Sequence, residues 1–149
     1  MDSANIIRLL DIFVIGPATI LFAYNIRHLP WLLCALVVSI GMLTIVYNYI
    51  NFNRLYRGTD PRPYTVLPTW VQNLFWHPVN GKTQLLRLIN LFVMYPILFY
   101  AWYYSIEEGL YSNVVGLFMI SFGVLIGFIY NLYYFVKIAL QDEQDDRKN

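Results

Sequence analysis

Arg8 and Asp11 stand three residues apart inside a run that is otherwise apolar, "RLLDIFVIGP" from Arg8 to Pro17. On a helix that spacing puts both side chains on one face, within reach of each other. A carboxylate among apolar residues can serve as a proton or ion site, or it can anchor a neighbouring helix through hydrogen bonds. Left facing lipid it would cost about 2.5–3.5 kcal/mol on insertion scales. A partner is therefore expected, and Asn48, at similar depth near the end of the next apolar run, is the candidate.

The same relation recurs in Arg87, Asn90 and Asn131. Here the position and polarity are kept while the charge is not, which favours a structural network of Arg8, Asp11, Asn48, Arg87, Asn90 and Asn131 over ion chemistry. Interhelical hydrogen bonds of this kind contribute about 0.6 kcal/mol each.

Other reactive residue types do not assemble into a site. His28 and His77 have no second histidine or cysteine at ligand spacing, so no metal site is expected. Glu107 and Glu108 are adjacent, diverge on a helix and read as a solvated turn. The only cysteine, Cys34, lies in an apolar run and reads as a small filler. No phosphate loop, nucleophile elbow or zinc signature occurs. Neither an enzyme nor a cofactor is expected.

Of 149 residues, 58% are hydrophobic and 13% charged, against about 25% charged in an ordinary soluble domain. The chain reads as an integral membrane protein. A net charge of +1 supplies no basic field for nucleic acid. No basic stretch followed by an apolar run and a small-residue cleavage site marks a signal peptide, and Asp2 is incompatible with N-myristoylation.

Uncharged runs extend over Ile12–Ile26, Leu29–Asn53, Leu88–Ile106 and Gly109–Val136, where about 20 helical residues cross a bilayer. The first is long enough only if it starts near Leu9 and carries Asp11 inward. "RLLDIFVIGP" returns as "RLINLFVMYP" at Arg87–Pro96, and "IVYNYINF" at Ile45–Phe52 returns as "FIYNLYYF" at Phe128–Phe135. The expected architecture is an all-α membrane protein with four transmembrane helices, arranged as two tandem helical hairpins in parallel repeat. The first hairpin covers residues 1–53, a Pro- and Trp-rich linker 54–83, the second hairpin 84–139 and a charged tail 140–149. Lysine and arginine lie mostly on the side holding the termini and linker, with only Arg27 opposite. Termini and linker are thus expected in the cytosol.

Pro17 and Pro96 lie about 13 Å beyond the arginines, near mid-membrane, and each deprives the carbonyl four residues earlier of its donor. Static kinks are expected there. Gly116, Gly123 and Gly127 share a helix face with Asn131; Gly41 and Thr44 make a weaker version with Asn48. Such faces admit close helix approach, within the chain or in a homo-oligomer, and packing within the chain is the simpler reading. In the linker, Thr69–Trp76 is expected to form a short helix capped by Thr69, with Trp70, Leu74, Phe75 and Trp76 at the headgroup level. Arg57, Arg62, Pro68, Trp70, Phe75 and Trp76 are the candidate contacts for a protein partner.

"RLLDIFVIGP", the following "LPW" and "GMLTIVYNYINF" resemble small membrane proteins of large icosahedral double-stranded DNA viruses of algae and protists. The resemblance covers Ile6–Asn53; the second hairpin shares it only through the internal echo, and Tyr95 departs from it where Gly16 conforms. It implies a structural role in the membrane beneath a capsid and brings no catalytic residues. A small channel or transporter using Asp11, or a membrane-bound assembly factor, are the competing expectations.

Overall fold

The computed structural model describes residues 3–25, 29–56, 68–76, 82–107 and 124–146, and every element among them is helical. Helix α1 (Ser3–Leu10) passes through a π-helical turn (Asp11–Ile15) into α2 (Gly16–Asn25). Helix α3 (Trp31–Tyr56) returns against them. A short helix, α4 (Thr69–Phe75), precedes α5 (Gln84–Ile89), which runs through a second π-helical turn (Asn90–Met94) into α6 (Tyr95–Glu107). Helix α7 (Ile126–Asp146) packs on α5 and the second π turn.

Three of these helices are long and apolar enough to cross a membrane: Asn5–Asn25, Trp31–Arg54 and Gln84–Ser105. Only a minority of each is covered by the rest of the chain. The outward faces carry side chains suited to lipid, Phe13 at 72% exposure and Phe92 at 74% among them. Of the predicted fourth span, Gly116 and Gly123 lie outside the described residues.

These two π turns fall on the two stretches that are alike in sequence, and at the same place in each. The Gly16 N–H donates to the Asp11 carbonyl and the Tyr95 N–H to the Asn90 carbonyl, five residues back in both cases. A proline follows each turn, unable to donate and crowding the carbonyl four residues before it. One extra residue in the turn widens the helix at that point, a recognised way of distorting a helix without breaking it. Burial follows the same pattern: Ile12 and Leu91 face inward, while Phe13 and Phe92 face outward.

Close approach between α2 and α3 depends on two glycines. A methyl group on Gly16 would overlap Ile45 Cγ1; one on Gly41 would stand 2.7 Å from Ile20 Cγ1 and 3.0 Å from the Gly16 carbonyl oxygen. Above this crossing, Phe22, Ala23, Leu29, Leu33, Val37 and Ile40 join Leu98, Ala101 and Val124 in one buried cluster. Val37 and Ala101 are fully covered. This cluster fastens α3 to α6.

Enlarging Gly41 should therefore separate the first two spans. Gly41→Leu is expected to cost about 1–3 kcal/mol, the usual range for overpacking, in thermal unfolding of the detergent-solubilised chain. Met42→Leu, at an exposed neighbour, should leave the transition where it is.

Candidate functional site

Asn131 is 3% exposed and Asn48 4%, and each first satisfies itself along its own helix. Asn48 Nδ2 donates to the Thr44 carbonyl at 2.9 Å, and Asn131 Nδ2 to the Gly127 carbonyl at 2.8 Å. Beyond that the two differ. Asn131 Nδ2 also donates to the Tyr95 hydroxyl at 2.9 Å, and Asn90 Nδ2 donates to Asn131 Oδ1 at 3.5 Å. A polar seam thus joins the second π turn to α7. Tyr95 reaches it by lying over Gly127, where a methyl group would come within 2.5 Å of its hydroxyl. Its ring also meets Phe128 edge-on, with centroids 5.8 Å apart.

Among the described residues Asp11 forms no hydrogen bond to Asn48 or Arg8, although Arg8 remains among the charges that act on it. Arg8 donates from a guanidinium nitrogen to Asn5 Oδ1 at 3.0 Å, one helical turn away. Asp11 feels Lys82 as its strongest neighbouring charge, with Arg8 second. Lys82 lies just outside the spans, half-buried, and desolvation lowers its ammonium pKa from the ordinary lysine value; Asp11 opposes that shift, whereas Arg87 and Arg8 add to it.

Arg87 is almost wholly covered: it is 5% exposed, with its guanidinium carbon 5.5 Å from the centroid of the Tyr134 ring. A cation over an aromatic face is attracted by the ring quadrupole, and this contact retains the side chain between α5 and α7.

Helix α4 is docked on the bundle by its C-terminal end. Tyr47 Oη donates to the Phe75 carbonyl at 3.0 Å, and the Tyr47 ring stacks on Trp76 with centroids 5.2 Å apart. Thr83 Oγ1 donates to the Leu74 carbonyl and also accepts from the Leu86 N–H at 3.2 Å, capping α5. Trp76 is accordingly buried, at 9% exposure, rather than spread on the membrane surface. Trp70, at 67%, remains outward, and Phe75 is half-buried. Thr69 is the first helical residue instead of the cap. Pro68 occupies the cap position with φ −53° and ψ 145°, its ring supplying the extended geometry a cap needs. Arg57 and Arg62 lie outside the described residues.

Tyr47, Lys82, Thr83 and Tyr95 were not among the residues singled out by spacing. Their contacts lie 28 residues away for Tyr47 with Phe75 and 36 for Tyr95 with Asn131, distances that helix periodicity does not address. One signal was present for Tyr95: it is the single strong departure between the two ten-residue stretches. No protein-family model, curated protein or solved structure matches the chain.

The polar seam is testable by a double-mutant cycle. Tyr95→Phe and Asn131→Ala, alone and together, should give a coupling energy of about 0.6 kcal/mol, the average for such bonds in a membrane protein. Strict additivity in detergent unfolding would show that the hydroxyl and the amide do not act on one another.

Proposed function

We propose that the chain is a structural integral membrane protein, built from two tandem hairpins, whose linker presents α4 as a docking element for a protein layer. The observation that carries this reading is the one-sided attachment of α4. Tyr47 and Thr83 hold its C-terminal carbonyls and Trp76 is buried beneath it, while Trp70 stays open. Large aromatic side chains held rigidly and exposed are characteristic anchors of protein interfaces.

The tandem arrangement is supported by the coincidence of like sequence with like geometry. Asp11 and Asn90 start the two π turns; Asn48 and Asn131 both bond the carbonyl one turn back. In the four-span reading, α7 is the inner part of the last span and the apolar residues before it complete the crossing. Termini and linker then share the cytosolic side, following the distribution of Lys and Arg. The resemblance of Ile6–Asn53 to membrane proteins of large DNA viruses suggests a capsid shell as the layer. In a virion whose membrane derives from an internal cell membrane, the linker side would face that shell.

Crosslinking in the native membrane, read by mass spectrometry, tests the docking role. Crosslinks from the 68–76 segment to one shell protein are expected, and Trp70→Ser should remove most of them while leaving the helical circular dichroism unchanged. Crosslinks unaltered by Trp70→Ser would remove α4 from the interface. Recovery of the chain from infected membranes but not from purified particles would favour an assembly factor.

A second reading, a small channel, is favoured by one observation: Asp11 places a carboxylate within the apolar helix Asn5–Asn25. Liposome flux that Asp11→Asn abolishes would support it. Equal and negligible flux in both proteins is the outcome expected of a scaffold.

A further inference from the structure

Three cations converge on the end of the bundle that carries α4, and one carboxylate answers them. Lys82 Nζ lies 5.7 Å from the centroid of the Tyr47 ring. Arg8 lies on α1, which packs along α3, the helix that carries Tyr47. Arg87 is 5% exposed, its Nε has no hydrogen-bond partner among the described residues, and its guanidinium lies over the Tyr134 ring. Asp11 interacts with Lys82 and Arg8. Arg8, Lys82 and Arg87 thus bring three positive charges against the one negative charge of Asp11.

The depth of the cluster is informative. Arg8 is the fourth residue of the span Asn5–Asn25, Arg87 is the fourth of Gln84–Ser105, and Lys82 lies two residues before the latter. All three sit within about one helical turn, roughly 5 Å, of the span boundary. That is the level of lipid phosphates. A buried cation is costly without a counter-charge, and basic pockets between membrane helices at this level recruit anionic headgroups. Two guanidinium forks and an ammonium make a suitable donor set for phosphate oxygens, since arginine binds phosphate bidentately and lysine adds a point charge.

We infer that Arg8, Lys82 and Arg87 form a binding pocket for a phosphate group, supplied by the headgroup of an anionic phospholipid or by free phosphate. Tyr47 and Tyr134 form its aromatic walls, and Asp11 orients Lys82. Occupancy would tie the start of the second hairpin to the start of the first, independently of whether α4 docks a shell.

Native mass spectrometry of the full chain, released from neutral detergent, tests this with phosphatidylglycerol, phosphatidylcholine and inorganic phosphate as separate probes. Phosphatidylglycerol retained at least about tenfold more tightly than phosphatidylcholine identifies a headgroup site. Retention of inorganic phosphate with displacement by neither lipid identifies a free-anion site. Lys82→Gln, outside the spans, should weaken the retained ligand at least about tenfold, whereas Lys148→Gln, in the charged tail, should not. Equal retention of both lipids with no uptake of phosphate would overturn the inference, as would equal losses in the two lysine variants. The comparison of lipids on the unaltered chain does not depend on either variant folding.

Discussion

Inside a bilayer little water is available to satisfy a polar group, so most partners must come from the chain itself. The rest of this structure follows from that constraint. Thr19, Ser39 and Thr44 return their hydroxyls to carbonyls four residues back, at 2.7, 2.7 and 2.8 Å. Asn48 and Asn131 do the same with their amides. Pro17 and Pro96 are each preceded by a turn that lets the helix absorb a missing donor without ending. Only after these local debts are met do a few groups, Asn90, Tyr95 and Lys82, reach across to another helix.

Two helix pairs meet the same packing problem by opposite means. In one, Gly16 at the start of α2 makes room for Ile45 on α3. In the other, α6 carries Tyr95 and α7 the glycine, Gly127, so the bulk has changed sides while the helices remain close. The exchange also changes the chemistry, because Tyr95 brings a hydroxyl that Asn131 can use. In the first hairpin no tyrosine occupies that place, and the polar side chain at the head of the π turn is a carboxylate that draws on Lys82. A structural network with one charged member is thus a consequence of where the large side chain sits.

Much of this was legible in the residues. Length and apolarity identified the three described spans, Gly41 and Gly127 marked helix faces that do meet neighbours, and the echo of Arg8–Pro17 in Arg87–Pro96 pointed to the positions where π turns occur. The turns themselves were not foreseen, since a proline in a helical pattern announces a distortion without specifying how the backbone absorbs it. Pairings between helices were the least legible. Asp11 shares a helix face with Arg8, yet its strongest charge partner is 71 residues away, and only packing of one hairpin on the other brings Lys82 near. Trp76 reads as an interfacial aromatic until Tyr47 is found beneath it.

The account rests on outward phenylalanines and inward polar groups in membrane-embedded helices, and site-directed spin labelling addresses that arrangement directly. Labels on Phe13→Cys and Phe92→Cys in reconstituted bilayers should collide freely with oxygen and scarcely with a water-soluble nickel chelate. Labels on Ile12→Cys and Leu91→Cys should be shielded from both. Strong collisions with the chelate at positions 13 and 92 would place those faces in water and contradict the account.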